Sequence, residues 1–204
     1  MSPGTTFERV YDELRRRIMT GGFRPGARLE PGSLSETLSA SITPVRDALH
    51  RLVGERLVAA PRTEGFQMPM LTERRLRDLH AWNGALLALS LRGPRLRERL
   101  VAGGARPTSL GADYADRGGA LFVAIAELSR IMEHGRAVAN LNARLHFARL
   151  IEARLIPEAE AELDALERLH AAADVAGLRK AVLAYHRRRD RLTAIVVAAV
   201  QDLD

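Results

Sequence analysis

The sequence of 204 residues contains no cysteine. A disulfide framework, a thiolate metal site and a cysteine nucleophile are therefore excluded. No apolar run approaches the roughly 18 residues of a membrane span, and the first residues lack the pattern of a signal peptide, so we expect a cytoplasmic protein without a membrane partner. No nucleophile–base pair, phosphate loop or paired-carboxylate motif stands out. The sequence thus predicts a protein that is not an enzyme.

Lysine is almost absent, since Lys180 is the only one. The 31 basic residues against 25 acidic ones still give a net charge of +6, which suits an anionic partner such as nucleic acid. This charge is poorly segregated, because residues 1–70 hold ten arginines against eight acidic residues. The bulk charge therefore does not identify the partner, although arginine side chains suit phosphate and guanine.

Residues 1–70 predict a small unit of three helices followed by a β-hairpin. A helix from Thr5 or Thr6 is indicated by apolar residues at helical spacing, and "SLSETLSAS" is a short second helix. Thr43 is predicted to cap a third helix with Pro44 at its first position, where a missing N–H costs nothing. The segments "LVAA" and "GFQM" are strand candidates joined by "PRTE".

Residues 71–204 have helical period throughout and predict an all-α domain. The stretch from Gly103 to Gly119 is rich in glycine and proline and predicts a loop. The long apolar segment after it reads as one or two helices, divided near Gly135. Trp82 and Phe122 are most simply core residues.

The two short helices before the hairpin can serve to read DNA. The major groove admits an α-helix, and the turn between the helices can present the third helix to it. Ser41 and Thr43 are short donors at a helix N-terminus, where a phosphate can bind, and Arg46 lies one turn further on. The alternative is a helical subdomain in which the same residues only cap and pack.

The segments "VYDELRRRIMTGGFRPGARL" and "LSETLSASITPVRDALHRLVGERLV", followed by a hairpin with a glycine, resemble the winged-helix domain of GntR-family transcriptional regulators. The helical remainder looks like the C-terminal ligand-binding domain, the FCD domain, of the FadR-like subfamily. The resemblance implies a mainly α protein: an N-terminal winged helix-turn-helix with a β-hairpin wing, and an all-α helical-bundle C-terminal domain. It also implies a homodimer that binds a double-stranded DNA operator through residues of the third helix and wing: Ser41, Thr43, Pro44, Arg46, Arg62 and Gly65.

Among the positions that depart from the family pattern, two bear on DNA contacts. Ile42 stands where an arginine usually opens the reading helix, and Glu64 stands where a basic residue often precedes the glycine of the wing. Loss of an arginine contact is worth about 1–3 kcal/mol. These departures predict weaker DNA binding or a different operator.

Many C-terminal domains of this subfamily bind a metal through one aspartate and three histidines. The corresponding positions here read Gly118, Phe122, Leu163 and His186, so only one ligand remains. We therefore expect neither a metal nor another cofactor. His134, His146 and His170 are alternative ligands, but they form no i, i+4 pair, and a surface or capping role is favoured for them.

The effector site also departs from the resemblance. The arginine and glutamate that often line the family's cavity are replaced by Asn83 and Leu87. We expect an effector near Asn83, Tyr185 and His186 that is less acidic or more apolar than usual, or else no effector at all. The segment through which an effector would change the angle between the two domains is the linker "MPMLTERR", in which Pro69 is flanked by two methionines.

The sequence thus predicts a cytoplasmic homodimeric regulator, with residues 1–70 binding DNA and residues 71–204 dimerising and sensing a small molecule. The rival hypothesis is a helical interaction or scaffold protein whose winged helix lacks sequence-specific DNA binding. Ile42 and Glu64 support the rival. Retention of a subset of genomic fragments at rising salt would discriminate between the two.

Overall fold

A computed structural model describes residues 3–61, 65–103 and 112–202. Within these ranges the chain forms nine α-helices, and it divides into two compact units, Met1–Leu71 and Thr72–Asp204. None of these helices is both long enough and apolar enough to cross a membrane.

The first unit is built on three helices: α1 (Pro3–Met19), α2 (Pro31–Thr37) and α3 (Ile42–Gly54). Both α1 and α2 pack against α3. The apolar positions that recur at helical spacing all point inward, as the periodicity predicts. The fully or nearly fully buried side chains of this core are Val10, Leu14, Ile18, Leu29, Leu34, Leu38, Val45, Ala48, Leu49, Leu52, Leu57 and Val58.

The start of α3 differs from the prediction. The N-cap residue is Ser41, with extended backbone angles, and the helix begins at Ile42 rather than after Thr43. Pro44 is consequently the third helical residue instead of the first. This costs no helical hydrogen bond, because the first N–H groups of any α-helix lack an intrahelical acceptor. The prediction of Thr43 as the cap is therefore wrong by two residues.

The turn between α2 and α3 is set by Ser39. Its φ of +47° lies in the left-handed region, which ends α2 at Thr37. The N–H of Ala40 then donates to the carbonyl of Ser35 at 3.0 Å, and the N–H of Ser39 donates to that of Glu36 at 3.2 Å. These bonds satisfy carbonyls at the end of α2 and turn the chain into α3.

The predicted β-hairpin is not formed as a pair of strands. Among the described residues the backbone makes two isolated antiparallel bridges, one between Ala59 and Gln67 and one between Arg28 and Gln67. Leu57 and Val58 were expected in a strand, but their N–H groups donate to the carbonyl of Leu52, so they complete the end of α3 instead. The wing is thus shorter than predicted, and the loop after α1 pairs with it.

The second unit consists of six helices in the described ranges. They are α4 (Glu73–Ser90), α5 (Leu96–Gly103), α6 (Tyr114–Glu127), α7 (Met132–Leu155), α8 (Ala159–Ala171) and α9 (Val175–Gln201). The main packing pairs are α6 with α7, α4 with α9, and α8 with α9. Leucines, Phe122 and Tyr185 dominate the shared core.

Three expectations for this unit are corrected. The loop predicted to end at Gly119 ends at Asp113, which caps α6 by accepting from the N–H of Asp116 at 2.8 Å. Tyr114, the first residue of α6, is buried. Residues 104–111 of this loop lie outside the described ranges. The long helical segment breaks before Met132, not at Gly135. Phe122 is buried as expected, but Trp82 is 45% exposed and is not a core residue.

Candidate nucleic-acid interface

The outward face of α3 is the most distinctive surface of the first unit. Val45, Leu49 and Leu52 fill the core, and this fixes the opposite side of the helix toward solvent. The N-cap residue Ser41 is exposed, and so are Ile42, Thr43, Arg46 and Asp47 on the first turns of the helix. Pro44 is only partly exposed and holds the backbone of the first turn.

The N-terminus of α3 exposes groups of a kind that can bind an anion. The Ser41 side chain makes no capping hydrogen bond, so its hydroxyl is available. The N–H groups of Ile42 and Thr43 lack intrahelical acceptors, and the helix dipole adds positive potential there. Backbone N–H groups and short hydroxyls at a helix N-terminus are a recurring seat for phosphate.

Arg46 and Arg51 lie on the same helix but differ in their surroundings. The Arg51 guanidinium lies 3.9 Å from the Tyr11 ring centroid and 3.5 Å from a carboxylate oxygen of Glu55. Arg46 is exposed and makes no hydrogen bond or ion pair with any described residue. Arg46 is therefore the arginine of α3 that is free to reach a ligand, whereas Arg51 ties α3 to α1.

The wing residues are described only in part. Gly65 is exposed with a φ of +70°, a conformation that suits glycine, while Arg62 and Glu64 lie outside the described residues. The Phe66 ring meets His50 of α3 edge-on, with 4.9 Å between ring centroids. This contact fixes the chain after the wing tip beside the exposed face of α3.

Tyr11 anchors the far end of α3. Its hydroxyl donates to Glu55 at 2.6 Å, next to the helix C-terminus. Burial, together with this hydrogen bond to a carboxylate, raises the pKa of Tyr11 to about 12. Glu55 is the C-cap residue of α3, so this hydrogen bond ties the C-terminal end of α3 to α1.

The three predicted effector residues of the second unit are all buried. Asn83, Tyr185 and His186 are 0%, 2% and 6% exposed. The rings of Tyr185 and His186 lie 5.1 Å apart, and His186 packs so closely on Gly84 that a Cβ there would be 3.0 Å from the ring. Tyr185 and His186 therefore lie in the same region of the core. Asn83 is next to this region in sequence, because it precedes Gly84, which packs against His186.

This region contains a buried polar cluster that the sequence did not reveal. The Nε2 atom of His80 lies 2.8 Å from an Oε1 oxygen of Glu152, whose second oxygen is 3.5 Å from Arg189. Arg189 also donates to the hydroxyl of Tyr114 at 2.7 Å and pairs with Glu162. No periodic signal could have found these residues, because their burial depends on pairing with side chains of other helices.

The family's metal-ligand positions do converge, but they do not supply ligands. A Cβ at Gly118 would be 4.0 Å from Leu163, and Phe122 contacts His186 with 5.7 Å between ring centroids. Only His186 among the four offers a donor atom. One imidazole cannot hold a transition metal, so the residues present do not fit the family-type metal.

A different group of possible ligands lies at the start of α6. One ligand atom from each of Asp113, Asp116 and His146 falls within 4.8 Å of the others. Of the two roles expected for His146, surface or capping, the surface role is excluded, since the residue is only 6% exposed; its Nδ1 lies 3.8 Å from Asp116 in the first turn of α6. Asp113 already caps α6, and the positive end of that helix opposes a cation, so the group is explained by capping.

Comparison with known proteins bears on the first unit directly. Residues 6–67 match the model of the family described as "Bacterial regulatory proteins, gntR family". The N-terminal unit is therefore similar to the domain that this family model describes. The chain is 37% identical over 71 residues to the HTH-type transcriptional regulator McbR of Escherichia coli (strain K12), covering 35% of this chain and 32% of that protein.

Two further relatives match over segments of similar length. The HTH-type transcriptional repressor GlaR of Escherichia coli (strain K12) is 32% identical over 69 residues, covering 34% of this chain and 31% of GlaR. The gluconate operon transcriptional repressor of Bacillus subtilis (strain 168) is 32% identical over 80 residues, covering 39% and 32%. The matched segment spans about a third of these relatives' length.

Solved structures resemble the whole chain in fold. A protein described as a GntR transcriptional regulator from Rhodococcus sp. RHA1 superposes with a TM-score of 0.71 at 20% identity, covering 96% of this chain and 99% of that one. E. coli McbR/YncC gives a TM-score of 0.62 at 18% identity, covering 97% and 99%. These likenesses show that the chain shares its fold with these two proteins.

Proposed function

We propose that the protein is a transcriptional regulator that binds a double-stranded DNA operator as a homodimer. The observation that carries the proposal is the free, exposed N-terminal face of α3, with Arg46 unpaired among the described residues. The three relatives are named as transcriptional regulators or repressors, which supports the same conclusion for the GntR domain.

The proposed contacts divide by chemistry. Ser41 and Thr43, with the first N–H groups of α3, hold a phosphate and fix the helix in the groove. Arg46 reaches a phosphate or a guanine edge, where its fork can donate twice. Gly65 lets the wing backbone approach DNA, and Arg62 is proposed to contact the backbone or the minor groove.

Ile42 gives the interface a different chemistry from the usual arginine. Its side chain is 43% exposed at the first position of α3. An apolar side chain at a base edge can contact the methyl group of thymine, but it cannot bond guanine. We expect operators of this protein to carry an A·T pair where an arginine-bearing relative would read G·C.

The helical unit is proposed to dimerise and to sense a small molecule near Asn83, Tyr185 and His186. An effector changes DNA binding only by preferring one conformational state of the regulator over another. The linker of residues 68–75 is the proposed joint. A helical interaction or scaffold protein remains the rival, and its support is the loss of arginine at Ile42 and of a basic residue at Glu64.

The test is capture of sheared genomic DNA by the full chain at rising salt. Phosphate contacts alone weaken steeply and uniformly with salt, whereas base contacts retain selected fragments. A regulator leaves a small set of fragments that share a two-fold symmetric sequence. Uniform release of all fragments would support the scaffold hypothesis instead.

A further inference from the structure

His50 lies on the outward face of α3, about two helical turns after Thr43 and one turn after Arg46. Residues two turns apart in an α-helix point in nearly the same direction, so His50 continues the line of exposed side chains that begins at Thr43. Its side chain is exposed, and neither ring nitrogen makes a hydrogen bond or an ion pair with any described residue. Within the described part of the chain, both nitrogens are therefore free to bind a partner.

The ring of His50 is held from one side by Phe66. The two ring centroids are 4.9 Å apart with an interplanar angle of 76°, the edge-on arrangement that aromatic rings prefer. Phe66 is fixed through its backbone, because its carbonyl accepts from the N–H of Leu29 at 2.8 Å and the next residue, Gln67, exchanges two hydrogen bonds with Ala59. The contact between the rings thus orients the imidazole without a hydrogen bond to its nitrogens.

The meeting point of α3 and the wing has a defined place in the proposed complex with DNA. The N-terminal end of α3 is proposed to enter the major groove, and Arg62 of the wing to approach the backbone or the minor groove. A sugar–phosphate strand separates the two grooves of a duplex, so a protein that reaches into both must cross that strand where its two reading elements meet. Among the described residues, His50 and Phe66 are side chains that meet there.

The distance along α3 agrees with this placement. At a rise of about 1.5 Å per residue, His50 lies roughly 10 Å further along the helix than Thr43. This separation exceeds the depth of the major groove, which is about 8.5 Å. A helix that inserts its N-terminal turn into the groove therefore leaves His50 at the level of the phosphates.

The chemistry of the imidazole suits a phosphate oxygen. A neutral imidazole has one N–H donor, and a protonated imidazole has two donors and a positive charge. The exposed side chains one turn before it, Arg46 and Asp47, have opposite charges, so together they add little net potential at this position. Arg51, the next residue, is held against Tyr11. The free N–H of His50 is thus the group that can bind the strand between the grooves.

We propose that His50 donates a hydrogen bond to a phosphate of the DNA strand that separates the two grooves, and that Phe66 is the positioning residue that orients its ring. This role rests on the proposed binding of DNA by α3 and the wing, and it adds a contact that the first turn of α3 does not supply. A phosphate contact at this point fixes the register of both reading elements on the duplex and carries no sequence information of its own.

The experiment measures how His50 couples to single phosphates. Operator fragments captured by the full chain are synthesised with one phosphate at a time replaced by a neutral methylphosphonate, and the affinity for each duplex is measured by fluorescence anisotropy at fixed salt. His50→Phe keeps a ring against Phe66 but has no donor, His50→Gln keeps an N–H donor, and His50→Ala removes both. Phe66→Leu tests the positioning role, and Arg16→Ala, at an exposed arginine of α1, is the control.

We expect one phosphate in each half-site whose replacement weakens binding of the unchanged protein by about three- to tenfold, the size of one hydrogen bond. The same replacement should have no further effect on His50→Phe or His50→Ala, because the donor is already absent. His50→Gln should recover part of the loss. Arg16→Ala should remain as sensitive to that replacement as the unchanged protein.

The positioning role of Phe66 has its own signature. Phe66→Leu should weaken binding less than His50→Ala does, through the same phosphate. Combined with His50→Ala, it should cause no further loss, because the group that it orients is gone. A role in packing alone predicts the reverse: His50→Phe would bind as the unchanged protein does, and no variant would couple to one phosphate.

Equal operator affinity of His50→Phe and the unchanged protein, or a loss that is the same for every phosphate replacement, would overturn the proposal. If His50→Ala does not fold, His50→Phe and His50→Gln decide by the same coupling. Selective capture of operator fragments without coupling to His50 defeats only this inference. If no fragment is captured selectively, a mixed-sequence duplex at low salt takes the place of the operator: weaker binding by His50→Phe then upholds the phosphate contact while operator reading fails, and equal binding overturns both.

Discussion

Both terminal nitrogens of Arg9 donate to the backbone carbonyl of Leu38, at 3.1 Å each, and Nη2 also reaches the carbonyl of Ser39 at 3.4 Å. A side chain of α1 thus holds the turn that leads from α2 into α3. Those carbonyls end α2 and would otherwise rely on water. The orientation of α3 consequently depends on a residue of α1.

Arg9→Ala should loosen this turn. We expect a loss of about 1–2 kcal/mol in unfolding free energy, as for other charge-assisted contacts to a backbone carbonyl, together with weaker operator binding. Urea denaturation and fluorescence anisotropy with a captured operator measure the two effects. Arg16→Ala, at an exposed arginine that pairs only within α1, is the control; equal effects of both substitutions would show that the turn does not need Arg9.

Tyr11 predicts a stability change in strong base. Because its folded pKa of about 12 lies above the ordinary value of 10.0, the unfolded chain loses the phenolic proton first. The stabilisation by Tyr11 is complete below pH 10 and is lost as the pH rises to about 12. Denaturation at several pH values should show a smaller decline in Tyr11→Phe than in the unchanged protein. Identical declines would mean that Tyr11 ionises normally in the folded state.

Gly84 predicts a packing effect in the helical unit. An added Cβ would lie 3.0–3.2 Å from atoms of His186, so Gly84→Ala should lower the unfolding free energy by about 1–3 kcal/mol. Gly54→Ala is the matched control, since no atom lies within 4 Å of its Cβ position. Adding His186→Ala to Gly84→Ala should recover part of the loss. A strictly additive pair would show that the two side chains do not meet.

The metal expectation has a direct measurement. Protein purified without chelator should contain far less than one equivalent of zinc, nickel or manganese, because three of the four family positions carry no ligand atom. Elemental analysis tests this. One equivalent per chain that disappears in His186→Ala would contradict it.

The sequence predicted the helices of the first unit because their burial is local. Val10 and Leu14 in α1, and Leu49 in α3, each belong to a series of apolar residues with the period of a helix. Any packing partner must cover the apolar face that such a series forms. The start of α3 was misplaced because two hydroxyl residues, Ser41 and Thr43, are equally good caps by type, and only the backbone angles decide between them.

The wing and the polar core were harder to predict for a different reason. Val58 has the composition of a strand residue, but its N–H completes α3 through a bond to Leu52. Arg149 and Glu152 are charged residues that ordinarily indicate a solvent-facing surface. Their burial depends on partners from other helices, such as His80, and those distant pairings leave no periodic trace in a single sequence.

Arg46 provides the test of the central claim, which is that the outward face of α3 reads an operator. Arg46 is exposed and unpaired among the described residues, so Arg46→Ala should leave the fold unchanged. Its loss should weaken operator binding by roughly 1–3 kcal/mol, through a missing phosphate or guanine contact.

The measurement is an anisotropy titration of a captured operator at fixed salt, with Arg46→Ala, the unchanged protein and Arg16→Ala side by side. Arg16 is 61% exposed on α1 and controls for the loss of one surface charge. The account predicts weaker binding for Arg46→Ala and unchanged binding for Arg16→Ala. Equal affinity of Arg46→Ala and the unchanged protein would contradict it.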